Sequence, residues 1–83
     1  MTTRFFYVYM LRSQTHTDRF YTGYTVDLEA RLKHHNDGAV PATKPYRPWQ
    51  YKTCIAFTDE QRARDFEHYL KTQSGRAFAK KRL

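Results

Sequence analysis

An α+β fold with the element order β-β-α-β-α-α is the architecture this 83-residue sequence predicts, and three observations carry it. Short β-branched and aromatic runs occur three times, two of them ahead of the first helical pattern. Two cap signals, Thr25-Val26-Asp27-Leu28-Glu29 and Thr58-Asp59-Glu60-Gln61, open stretches with helical apolar spacing. Polar or proline-rich segments separate these runs. The expected result is one domain over residues 1–83, a three-stranded antiparallel sheet flanked by helices.

Phe5 to Leu11 is a short aromatic and aliphatic run, bounded by the polar stretch Ser13 to Asp18, and reads as a buried strand. Arg19 to Thr25 reads as its hairpin partner across a loop of about six residues. Gly23 weakens that second strand unless something must approach its backbone closely. The first helix runs from the Thr25–Glu29 signal to about Asn36, where Asn36-Asp37-Gly38 stops it. Residues 38–48 hold Pro41, Pro45 and Pro48 and form a long loop, of a length that is often functional in a small domain. Trp49 to Phe57 is the third strand. Thr58 caps the second helix, which runs to about Thr72, and Ser74 caps a short basic terminal helix.

Composition excludes several classes. The one cysteine, Cys54, permits no intramolecular disulfide and no Cys-rich zinc site; placed mid-strand, it is expected to be buried and inert. The longest apolar or aromatic run is the seven residues Phe5 to Leu11, against the roughly 20 that span a bilayer. No helix pairs a basic face with a large apolar one, so no membrane partner is expected. With no signal-peptide pattern at the N-terminus, the expectation is a cytoplasmic protein. The net charge of +7 is segregated: residues 38–58 and 71–83 contain no acidic side chain, and they hold Lys44, Arg47, Arg76, Lys80 and Lys81. Acid-free basic segments favour polyanions, nucleic acid foremost.

Ionisable residues stand where helical spacing calls for apolar ones. Leu28, Arg31, Leu32 and His35 fall at i, i+3, i+4 and i+7, and Ala63, Phe66, Glu67 and Leu70 repeat that spacing. Either Arg31 and Glu67 pair with each other, or each reaches solvent at the edge of its stripe, or they serve chemistry. Tyr9 and Tyr21 fall on neighbouring strands, as core fillers or as placed proton carriers. His34 and His35 are adjacent on a helix and point about 100° apart, so they cannot chelate together. Trp49 and Tyr46 can either pack or stack on an unpaired base.

Together these residues resemble the GIY-YIG nuclease domain, along the whole chain. Tyr7-Val8-Tyr9 stands where that family has Gly-Ile-Tyr, and Tyr21-Thr22-Gly23 stands where it has Tyr-Ile-Gly. Arg31, ten residues after Tyr21, matches the helix arginine; His35 matches a position often His or Tyr; Glu67 matches the single metal-binding glutamate. The closest likeness is to small stand-alone bacterial members, which share the Thr43-Lys44, Arg47-Pro48-Trp49 and Ser74-Gly75-Arg76 features. Tyr24 departs from a position that is often Lys. The resemblance implies a metal-dependent DNA endonuclease, of low sequence specificity, acting in repair or recombination. It implies catalytic roles for Tyr9, Tyr21, Arg31, His35 and Glu67, with Glu67 holding one Mg2+ or Mn2+ ion. Gly23 would let the backbone approach a phosphate, and Lys44, Arg47, Arg76, Lys80 and Lys81 would grip nucleic acid, DNA rather than RNA. Specificity would come from branched DNA shape or from a protein partner. The alternative is a nucleic-acid-binding module of the same fold with little activity.

Overall fold

A computed structural model of the chain describes residues 3–83. Its elements run β1 (Phe6–Ser13), β2 (Phe20–Thr25), α1 (Leu28–Asn36), β3 (Trp49–Phe57), α2 (Glu60–Leu70) and α3 (Gln73–Arg82), with a single 3-10 turn at Lys44–Tyr46. The three strands form one antiparallel sheet in the order β2-β1-β3. The predicted fold class and element order therefore hold.

The central strand is apolar at consecutive positions because both of its faces are covered. Val8, Tyr9, Met10 and Leu11 are all buried, and alternate side chains enter two different cores. Val8 and Met10 pack with Ala63 and Leu70 of α2 and Ala79 of α3. Tyr9 and Leu11 pack with Trp49, against Leu28 and Leu32 of α1 and Tyr21 and Tyr51 of the sheet. The sheet thus separates an aliphatic side under α2 and α3 from an aromatic side under α1. The candidate site is built on the aromatic side.

Local chemistry sets the helix boundaries. Asp27 caps α1 by accepting from the Ala30 amide at 3.0 Å, and Gly38, at φ +81°, turns the chain away after its end. The second cap differs from expectation. Asp59, not Thr58, accepts from the Arg62 amide at 3.1 Å, because its carboxylate is one residue nearer the first orphan amides. The third also differs: Thr72, not Ser74, caps α3 by accepting from the Gly75 amide at 3.1 Å. Gly75 explains the earlier start. It packs so closely on the end of α2 that a Cβ would lie 2.5 Å from the Tyr69 carbonyl carbon, so α3 turns back almost at once.

Cys54 corrects another expectation, since it is exposed. It pairs with Tyr9 in the ladder and so lies on the α1 side, but on the outer strand β3, where the nine-residue helix leaves it uncovered. Trp49 is buried, and its indole N–H donates to the Thr43 carbonyl at 2.8 Å. Tyr46 is half-buried between the Arg19 guanidinium at 4.7 Å and the His16 ring at 5.1 Å. Both brace the loop. No helix among the described residues is long and apolar enough to cross a membrane.

Candidate active site

Tyr9 lies at the middle of β1, directly across the ladder from Gly23 of β2. Its ring fills the space that a side chain at residue 23 would need: a Cβ there would run into the phenol, 2.5 Å from Cζ. Within the chain, then, the close neighbour that requires glycine is the Tyr9 ring. Tyr9 is almost wholly buried and cannot swing aside, so Gly23→Ala is expected to lower stability by about 1–3 kcal/mol through overpacking. A chemical-denaturation midpoint equal to that of the unsubstituted protein would contradict this packing.

The Tyr9 hydroxyl lies 2.8 Å from His35 Nε2, and His35 Nδ1 lies 2.8 Å from Thr43 Oγ1. Thr43 Oγ1 donates in turn to the Val40 carbonyl at 3.3 Å. Tyr9, His35 and Thr43 are at most 2% exposed. Because the phenol has no other hydrogen-bond partner among the described residues, its buried O–H donates to Nε2. The neutral imidazole then carries its proton on Nδ1 and donates it to Thr43. The loop thus fixes the tautomer, and Nε2 presents a lone pair to the phenol.

Burial pushes His35 down to about 4, helped by the Arg31 guanidinium and by His34. Burial also raises the Tyr9 phenol well above its ordinary value; Tyr21, Tyr51 and Glu67 push it the same way, while Arg31 pulls it down. The resting pair is a neutral phenol on a neutral imidazole. One consequence is acid sensitivity. Between pH 6.5 and about 4 the unfolded chain binds a proton at His35 that the folded chain refuses, so stability is full above 6.5 and declines toward 4. The decline attributable to this residue is about 3 kcal/mol. Urea midpoints at pH 7, 5.5 and 4.5 should fall less steeply for His35→Gln; parallel falls would show that His35 is not the acid-sensitive group.

Around this dyad, Tyr21 is half-buried with its ring 5.0 Å from that of His35. Tyr51 braces α1 by donating to the Leu28 carbonyl at 2.5 Å. Arg31 leaves the apolar stripe of α1 at its edge and is half-exposed. Glu67 lies on α2, with its side chain 19% exposed and paired with Lys71 one turn on. Among the described residues Arg31 and Glu67 form no ion pair with each other, and Arg31 pairs with no carboxylate. Yet both act on the same phenol. The two groups thus do not neutralise each other, although Lys71 neutralises Glu67. Tyr24, at the position often Lys in the family, donates to Glu60 at 2.8 Å and lies 4.5 Å under the Arg64 guanidinium.

Among the described residues no three His, Cys, Asp or Glu side chains gather as a metal-binding group. The donor set fits one hard cation held by the Glu67 carboxylate and retaining most of its water, as Mg2+ characteristically does, and does not fit zinc. The predicted basic residues divide. Arg76 and Lys80 line an open cleft with Lys71, beside Tyr21, whereas Lys44 and Arg47 lie at the far end of α1 around Gly38. Lys81 is exposed on α3. Thr43 entered the sequence reading only as part of the Thr43-Lys44 feature and was given no role at the site; its bond to His35 assigns one.

Comparison with known proteins identifies the family. Residues 5–82 match the family described as the GIY-YIG catalytic domain. The UPF0213 protein YazA of Bacillus subtilis is 37% identical over 68 residues, covering 81% of this chain and 65% of its own. The UPF0213 protein in the ldhD 5′ region of Pediococcus acidilactici is 34% identical over 76 residues, covering 84% of this chain and 70% of its own. A structure-specific endonuclease subunit SLX1 homolog of Leishmania infantum is 41% identical over 75 residues, 81% of this chain, but the matched part spans only 10% of that protein. With its family match along nearly the whole sequence and two small bacterial relatives similar over most of their length, this chain belongs to the GIY-YIG catalytic-domain family.

Proposed function

We propose that this chain is an endonuclease that hydrolyses phosphodiester bonds in DNA rather than RNA with the help of one divalent cation. The observation that carries the reading is a buried Tyr9 phenol hydrogen-bonded to His35, with Arg31, one helical turn before His35, paired with no carboxylate among the described residues. An arginine left without a carboxylate beside a buried phenol–imidazole pair is what a site for an anionic phosphate requires.

In this reading Tyr9 accepts the proton of the attacking water as it gives its own to His35 Nε2. The water oxygen bonds to phosphorus, and the bond from phosphorus to the leaving oxygen breaks. Because both partners are neutral at rest, the proton moves with the attack rather than before it. The forked Arg31 guanidinium meets two non-bridging phosphate oxygens. Tyr21 confines the imidazole and helps to place the water. Glu67 would hold Mg2+ or Mn2+, which supplies positive charge at the scissile phosphate and the leaving oxygen. Binding that cation requires Glu67 to give up its pairing with Lys71.

Contacts from Arg76, Lys80 and Lys81, with Lys44 and Arg47 at the other end, position the DNA backbone without reading sequence, so specificity is low or comes from DNA shape. A structure-specific endonuclease subunit among the relatives supports that second option along with a partner protein, and a role in repair or recombination belongs to the same proposal. The 83 residues acting as one domain, in the cytoplasm, belong to the same proposal.

The test is cleavage of labelled supercoiled, linear, single-stranded and branched DNA with Mg2+, Mn2+ or EDTA. Cutting in either metal, absent in EDTA and absent in folded Glu67→Gln, is the expected result. Binding without cutting of any of these DNAs would favour the binding-module alternative.

A further inference from the structure

Phe20 opens edge strand β2 and is 47% exposed, unlike Phe6, Phe57 and Phe66, which pack into the core. An exposed phenylalanine alone needs no explanation. This one lies in a cleft of about 890 Å3 whose floor includes Met10, Leu70 and Ala79 and whose rim carries Arg19, Lys52, Arg76 and Lys80, against one acid, Asp18. The Lys52 ammonium stands 5.1 Å from the Phe20 ring and the Arg12 guanidinium 5.8 Å. Lys52 owes its place to a one-residue slip of the β1–β3 register between Met10 and Leu11, which leaves it without a ladder partner. Lys52 comes from the acid-free segment 38–58, Arg76 and Lys80 from the acid-free segment 71–83, and Arg19 from neither, so the cleft gathers charge from three parts of the chain.

We infer that this cleft binds an unpaired stretch of nucleic acid, with one base stacked on Phe20 and the flanking phosphates on Arg19, Lys52, Arg76 and Lys80. An aromatic face inside a cationic track is the combination that single strands require and that duplex phosphates do not. The volume is that of a site for one small ligand, too small to admit a double helix. The cleft opens on the α2–α3 side of the sheet and shares two residues with the surroundings of the candidate site. Tyr21 lines it while its ring packs on His35, and Lys71 lines it while pairing with Glu67. A strand held on Phe20 would have to cross the β2 edge to reach Tyr9 and Arg31 on the other side of the sheet. The inference rests on the nuclease reading for its purpose, and it would make an unpaired segment beside the cut bond the preferred substrate.

The test is fluorescence anisotropy with a labelled eight-nucleotide oligothymidylate and a blunt duplex, in EDTA and at low salt, so that no cutting occurs. Phe20→Ala should weaken oligothymidylate binding about tenfold and leave duplex binding within about twofold, while Phe20→Trp should retain both. Lys80→Glu should weaken oligothymidylate binding, and added salt should weaken it steeply for every variant. Circular dichroism establishes that each variant is folded. Three outcomes would each overturn the inference: unchanged oligothymidylate binding by Phe20→Ala, equal loss for both DNAs, or a poly-glutamate peptide binding as tightly as the oligonucleotide. Because the assay contains no metal, absence of cutting in the cleavage experiment would remove the nuclease reading and leave this result standing, and the converse also holds.

Discussion

Tyr9→Phe is expected to lower DNA cleavage by about 10²- to 10⁴-fold, the range for loss of a positioned proton carrier. The ring stays, so the packing on Gly23 and Tyr51 stays with it; only the hydroxyl that faces His35 Nε2 is removed. The deletion leaves Nε2 without a donor in a buried site, at a cost of about 1–3 kcal/mol in stability. Activity must therefore be compared under conditions where both proteins are fully folded. If phenol and imidazole act as one unit, Tyr9→Phe combined with His35→Ala should be little worse than either alone. Thr43→Val extends the argument one bond further. It keeps the side-chain shape, removes the acceptor for the Nδ1 proton and frees the imidazole to adopt the other tautomer. A loss of about tenfold is expected, by analogy with orienting partners of catalytic and metal-bound histidines, with recovery in Thr43→Ser. Cleavage by Tyr9→Phe within threefold of the unsubstituted rate would take the phenol out of the chemistry.

The parts of this molecule legible in the sequence were those written in local patterns. The consecutive apolar residues of β1 marked a strand covered on both sides, and the break at Asn36-Asp37-Gly38 marked the end of α1. Caps shifted by one or two residues because Asp and Thr competitors stood beside each predicted cap, and the choice between them depends on how the chain packs. Gly75, driven against Tyr69, decided the start of α3 through a contact no local pattern records. Cys54 was misplaced for a similar reason: mid-strand position implies burial only when a layer covers that strand, and α1 is too short to do so. At the site, the anomaly of ionisable residues on apolar stripes was visible at once. Which explanation applied was not, because an Arg31–Glu67 pair and two separated charges have the same spacing. Thr43 was invisible as a partner of His35 because eight residues of loop separate them, and only the folded loop brings Oγ1 to Nδ1.

Arg31 is where that ambiguity becomes measurable. Half-exposed and paired with no carboxylate among the described residues, it contributes little to stability, and Arg31→Ala should unfold within about 0.5 kcal/mol of the unsubstituted protein. Cleavage should nevertheless fall by about 10²- to 10³-fold, the loss typical when one donor to a developing anionic charge is removed. A pair-forming arginine would give the opposite profile, a loss of stability accompanied by a similar loss in Glu67→Ala. The pH dependence adds a second, independent sign. Arg31 pulls the Tyr9 phenol down and also holds His35 down. Without it the imidazole takes a proton from solvent more readily and is blocked as an acceptor at higher pH. The acid limb of the rate profile should therefore move to higher pH in Arg31→Ala. Arg31→Lys keeps the charge and loses the fork, so it should keep the position of that limb while recovering only a small part of the rate. An unshifted limb in Arg31→Ala would separate the guanidinium from the Tyr9–His35 pair and leave it only the phosphate to act on.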